Sequence, residues 1–195
     1  MFGIIGRKIF RGGNKYMIKI ESLKDYLSIM NEEEFMKLAT DVYNITDFIC
    51  KDYPKHKEWY FEKQLPGIYG TERNILFVRD PKDESKIISM ACLKKDEEEQ
   101  KICTLYVSDE CRGLGVGTML IEESMNWLEN TKPLITLADY KLDMFLPLIN
   151  KYGWELTEVV ESLYNDTSKE LCFNGTLTDQ KTLNKGLART RKKLV

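Results

Sequence analysis

The segment Ile102-Cys103-Thr104-Leu105-Tyr106-Val107-Ser108-Asp109-Glu110-Cys111-Arg112-Gly113-Leu114-Gly115-Val116-Gly117-Thr118-Met119-Leu120 joins an apolar run to three alternating glycines and then to an amphipathic stretch. Its reading is strand, tight loop, helix. The first N–H groups of a helix have no partner within it, and the positive end of its dipole lies behind them. Glycine lets another molecule come close to such amides. A phosphate-bearing ligand is expected there.

Upstream, residues 74–79, 86–94 and 101–107 are short apolar or β-branched runs, separated by charged turns around Pro81-Lys82-Asp83 and residues 97–100. Connections this short imply an antiparallel meander. Farther upstream, residues 16–20 alternate as a strand, and Ser22-Leu23-Lys24-Asp25 supplies capping chemistry for a helical run over 26–48. A second short helix over 58–65 ends at Pro66-Gly67. Downstream, the spacing predicts a helix over 118–130 with Met119, Leu120, Met125 and Leu128 facing inward. A strand at 133–138, a helix at 144–151 closed by Gly153, and strands at 154–160 and 170–173 complete the chain. The sum is an α+β fold: one mostly antiparallel, twisted sheet flanked by helices.

A chain of 195 residues with 43% hydrophobic and 31% charged residues fits one folded domain. We expect it over 17–176, with residues 1–16 a leader and 177–195 a basic tail. That tail carries Lys181, Lys185, Arg189, Arg191, Lys192 and Lys193, and reads first as a solvated terminus. A net charge of -2 argues against nucleic-acid binding outside that tail. No segment approaches bilayer-spanning apolar length, so no membrane partner is expected. The five scattered cysteines form no Cys-x-x-Cys pair, which predicts neither disulfides nor a metal site but a reducing, cytoplasmic compartment.

Familiar phosphate loops fit poorly. A P-loop needs lysine after its last glycine, and Thr118 follows Gly117. The dinucleotide loop needs Gly-x-Gly-x-x-Gly in the first strand-helix unit, whereas these glycines are evenly spaced and follow a meander. A methyltransferase loop, with Asp109 or Glu110 before Gly113, is nearer but wrongly placed in the chain.

The segment resembles the signature of the GNAT superfamily of acyl-CoA N-acyltransferases, Arg/Gln-x-x-Gly-x-Gly/Ala, on Arg112, Gly115 and Gly117. The likeness extends upstream through Leu105-Tyr106-Val107 and downstream to the stretch 148–154, and in element order it covers 17–173. It implies a GNAT-like fold and transfer of an acetyl group from acetyl-CoA directly to a primary amine of a small molecule or protein. The amides of Gly113, Leu114, Gly115, Val116, Gly117 and Thr118 would hold the pyrophosphate, with the Thr118 hydroxyl as an added donor and Arg112 shaping the loop. The main chain of Leu105 to Val107 would pair with the pantetheine arm, and one N–H there would polarise the thioester carbonyl.

An amine nucleophile must lose a proton, since a free lysine has a pKa of about 10.4. The departing thiolate must gain one, commonly from a helix tyrosine in this family. Here that position falls on Leu148-Ile149, so the tyrosine is missing. Tyr140 and nearby Tyr152 are the candidate acids, and Asp139 could orient the amine or act as base. Trp59, Tyr60 and Phe61 fall where the family often borders its acceptor pocket, as core or as wall. Cys103 and Cys111 flank the cofactor region and read as packing. His56, the one histidine, reads as a surface residue. Two other classes stay open: an acyl-CoA-binding module without catalysis, and an S-adenosylmethionine-dependent methyltransferase. No motif fixes the acceptor, and the oligomeric state stays open, a homodimer included.

Overall fold

The computed structural model describes residues 6–11 and 14–177. The strands are β1 (Gly6–Arg11), β2 (Asn14–Ser22), β3 (Arg73–Asp80), β4 (Asp83–Lys95), β5 (Gln100–Val107), β6 (Leu134–Ala138), β7 (Leu156–Glu161) and β8 (Lys169–Phe173). They form one sheet in the order β1-β2-β3-β4-β5-β6-β8-β7. Every pair is antiparallel except β5 with β6. Because β6 is reached through a helix rather than a hairpin, parallel pairing is sterically open there.

Helices cover both faces, which is why β3 and β4 read as nearly continuous apolar runs. Under one face lie α3 (Val116–Leu128) and α4 (Leu142–Tyr152), whose Met119, Leu120 and Ile149 pack with Ile102, Ile135, Leu137, Leu171 and Phe173. Gly153, at φ 59°, ends α4 as a left-handed cap, and Trp154 N–H returns to Ile149 O at 3.0 Å. Against the other face lie α1 (Glu32–Asn44) and α2 (His56–Trp59), the latter running on into a π-turn over Tyr60–Gln64. Phe35, Leu38, Val42, Tyr43 and Tyr60 pack there on Phe77, Met90 and Cys92.

Three sequence expectations need correction. The helical run over 26–48 is split into a 3-10 turn at Leu23–Ser28 and α1, because Asn31 caps a new start: its side chain accepts from Glu34 N–H while Glu34 accepts from Asn31 N–H. Residues 6–11, expected in a leader, pair as β1 with β2 from Gly6↔Lys19 to Arg11↔Asn14. The basic tail beyond Leu177 lies outside the described residues.

The third concerns His56, which is buried rather than at the surface, stacked between the rings of Tyr43 and Trp59 at 5.7 and 5.8 Å. Its Nε2 meets Thr46 Oγ1 at 3.2 Å. Burial lowers its pKa, offset in part by the charge of Asp47. A depressed imidazole binds fewer protons folded than unfolded, so its stabilising contribution is complete above the free value of about 6.5 and is lost as the pH falls below it. The melting temperature is expected to drop as pH is lowered from 7 to 5, and His56→Gln to flatten that drop. An equally steep profile in the variant would remove His56 from the account.

Candidate active site

The helix start is built as an open cradle. A short 3-10 turn, Asp109–Cys111, leads from β5 into the loop, closed by Cys111 N–H on Ser108 O at 2.9 Å and Arg112 N–H on Asp109 O at 3.2 Å. Gly113 and Gly115 then take φ of 74° and 84°, values that side chains resist. A Cβ on either would meet no atom within 4 Å, so the strand-helix turn is not closed over by protein. The first helical bond is Met119 N–H to Gly115 O at 3.0 Å, and no side chain caps α3. Among the described residues, the N–H groups of Gly113, Gly115, Val116, Gly117 and Thr118 have no acceptor. Convergent free amides at a positive helix end, over open space, fit a diphosphate. Arg112 braces the loop, its Nε donating to Val107 O at 3.3 Å and its guanidinium pairing with Asp109 at 2.8 Å.

Beside the cradle the sheet comes apart. β5 and β6 pair only at Lys101↔Leu134 and Ile102↔Ile135. Three residues further that register would set Leu105 against Ala138, but no rung joins them. A bulge contributes: Cys92 pairs Thr104 and Leu93 pairs Ile102, leaving Cys103 as the extra residue that bends β5. The β6-facing edge of β5 from Cys103 to Val107 therefore offers unladdered backbone next to the glycine loop. Leu105 and Val107 face the α3 side and Tyr106 the α1 side.

On the α1 side, Ile45, Lys86, Ile87, Tyr106, Ser108, Asp109 and Glu110 line an open groove of about 500 Å³. Phe48 lies edge-on to Tyr106, ring centroids 5.4 Å apart. The Ser108 hydroxyl is buried there without a hydrogen-bond partner among the described residues. Trp59, Tyr60 and Phe61 belong to the core beneath α1, with Tyr60 donating to Ala39 O at 2.9 Å.

The candidate acids and base are dispersed. Tyr152 donates to Glu122 of α3 at 3.2 Å and stacks on Trp154, which commits it to the α3–α4 seam. Tyr140 is exposed at the end of β6 and hydrogen-bonds Asp52; burial of its hydroxyl and that bond push its pKa up. Asp139 caps the turn by accepting Tyr140 N–H at 2.9 Å. Ile149, where the customary tyrosine would fall, is buried in the core.

Apart from Tyr140, sequence reasoning missed a polar cluster at the far wall of the gap, assembled from three separate connections and the strand β8. Tyr53 donates to both carboxylate oxygens of Glu170 at 3.4 and 3.3 Å and lies edge-on to Tyr164 at 4.9 Å. Lys141 pairs with Asp52 at 3.1 Å and lies over the rings of Tyr53 and Tyr140, 5.4 Å from each centroid. No spacing signal could reveal it, since Tyr53 and Glu170 are 117 positions apart. Among the described residues no group of three or more His, Cys, Asp or Glu could hold a metal, and no helix is long and apolar enough to cross a membrane. All five cysteines are free thiols.

Residues 33–139, just over half of the chain, match the acetyltransferase (GNAT) family. No curated protein matches the sequence. Among solved structures, a protein of the GNAT family from Desulfovibrio desulfuricans superposes with a TM-score of 0.57 at 10% identity, over 80% of this chain and 96% of that one. Arabidopsis thaliana NAA60, solved in complex with acetyl-CoA, gives a TM-score of 0.55 at 12% identity, over 80% and 96%. A nourseothricin acetyltransferase gives 0.47 at 14% identity; this chain covers 64% of its length with 52% of its own.

Proposed function

We infer the reaction from the family: the chain belongs to the acetyltransferase (GNAT) family, and its reaction is transfer of an acetyl group from acetyl-CoA to a primary amine of a small molecule or protein. The observation that carries this reading is the pairing of an uncapped α3 start with an unladdered β5 edge beside it. One binds a diphosphate and the other an extended, amide-bearing arm, which is the chemistry of coenzyme A. The acetyl-CoA bound on the same fold by NAA60 agrees with it. The free thiols suit a reducing, cytoplasmic setting.

Acetyl-CoA supplies an activated acyl carbon, to which the amine nitrogen bonds while the carbon–sulfur bond breaks. The protein's work is placement. The amides of residues 113–118 hold the pyrophosphate, Arg112 keeps the loop open, and an N–H between Leu105 and Val107 polarises the carbonyl. Donors of that kind contribute roughly 3 kcal/mol to a barrier. Tyr140 keeps its proton, because burial and the Asp52 carboxylate both raise its pKa. In this reading it lines the acceptor side, Asp139 holds its turn, and the thiolate takes its proton from the amine.

Saturating acetyl-CoA at about 100 times its dissociation constant should add about 2.7 kcal/mol of stability, a rise of roughly 5–10 °C for a chain of this size. Coenzyme A should act alike and S-adenosylmethionine not at all. Stabilisation by S-adenosylmethionine alone would sink the assignment. A second reading, acyl-CoA binding without transfer, is favoured by Ile149 standing in place of the tyrosine. Thiol release over a panel of amines separates the two.

A further inference from the structure

The wall of the gap across from Tyr106, on the same α1 side of the sheet, carries a buried carboxylate with no part in the reading so far. Ile135, Leu137, Leu171 and Phe173 pack toward α3 and α4, so their neighbours Thr136, Glu170 and Cys172 point to the α1 side, as alternation along a strand requires. Glu170 pairs with Ala138, the residue that the interrupted β5–β6 register would set against Leu105. Its carboxylate therefore stands one strand beyond the widest part of the gap, on the face where an acceptor would enter.

The environment of Glu170 is unusual for a structural acid. It is 3% exposed, yet its hydrogen bonds come from hydroxyls, those of Tyr53 and Thr136. The lysines whose charges reach it are engaged elsewhere, Lys141 with Asp52 at 3.1 Å and Lys101 with Glu99 at 3.9 Å. Its other titratable neighbours are Tyr164 from the β7–β8 connection, Tyr140 at the end of β6 and Cys172 on β8 itself. A buried carboxylate without a direct cation is costly unless an ammonium or a proton comes to it.

Resting on the transfer reading above, we propose that Glu170 is the general base: it receives the acceptor's ammonium and removes one proton, leaving a neutral nitrogen lone pair aimed at the gap. The nitrogen–hydrogen bond breaks, an oxygen–hydrogen bond forms on the carboxylate, and the resulting acid returns its proton to water after turnover. Burial raises the carboxyl's pKa; the hydrogen bonds from Thr136 and Tyr53 and the charges of Lys101 and Lys141 offset this in part. A base so tuned accepts a proton more readily near neutral pH. The acceptor it implies carries an unhindered primary ammonium, as a polyamine, a lysine or a chain terminus does.

Glu170→Gln keeps the shape and one accepting oxygen for the surrounding hydroxyls but cannot take a proton. The expected result is a fall in kcat/KM for the amine on the order of 100-fold at pH 7, recovering as pH rises and free amine forms. The acetyl-CoA thermal shift should be unchanged. Glu170→Asp should keep part of the rate and the wild-type pH profile. A second readout needs no turnover. A carboxyl raised by folding contributes stability below its unfolded pKa and loses it as pH rises through the folded one. The melting temperature of Glu170→Gln relative to wild type should accordingly climb with pH. A Glu170→Gln enzyme with wild-type rate and pH profile overturns the base alone. A wild type that binds acetyl-CoA but acylates no amine overturns the transfer reading and the base with it.

Discussion

Gly117→Glu should leave the free protein as stable as wild type, or slightly more so, while abolishing its stabilisation by acetyl-CoA. Gly117 lies within α3, and its φ is not positive. An added Cβ there meets only Val107 Cγ2 at 3.5 Å, an ordinary contact. Removing a helical glycine gains backbone stability, and a carboxylate in the first turn favours the helix by about 0.3–1 kcal/mol. The same charge sits among the amides that are to receive a diphosphate. Losing their contact and adding repulsion should weaken binding on the order of 100-fold or more, which is about 2.7 kcal/mol. Titration by thermal shift or calorimetry reads both effects at once. A variant that binds acetyl-CoA as wild type does would move the cofactor off α3.

Phe77→Ala should do the reverse. Phe77 is fully buried under α1, its ring 6.1 Å from that of Tyr26 and 5.3 Å from the Arg79 guanidinium. Emptying such a site costs roughly 3–5 kcal/mol, a drop on the order of 10 °C in melting temperature. The glycine cradle belongs to the opposite face, so the acetyl-CoA shift should survive at temperatures where the variant is folded. Loss of the shift along with the stability would mean that the two faces are coupled.

The strands from 73 to 107 were legible because their apolar residues are continuous where both faces are covered and their turns are charged. The cradle was legible for a related reason: closely spaced glycines before an amphipathic run have few other uses. The strand Gly6–Arg11 was obscured by Arg7, Lys8 and Arg11, although Gly12-Gly13 between two strand-like runs is itself a hairpin signal. His56 reads as a surface residue from its polar neighbours in sequence, but its partners, Thr46, Tyr43 and Trp59, come largely from a separate turn of chain. Asn31-Glu32-Glu33-Glu34 carried a capping box that an uninterrupted helical periodicity concealed. Glu170 and Tyr53 meet only through the sheet order, which local pattern does not encode.

The two rungs between β5 and β6 make this the thinnest junction among the described strand pairs, thinner than the three that tie β2 to β3. The sheet is thus two antiparallel plates, β1 to β5 and β6 to β8, joined along a single seam. Partial opening by local unfolding should begin along that line, where the fewest backbone bonds resist it. A molecule that bonds across the seam would act as a splint, so that capturing a substrate and holding the two plates together become the same event.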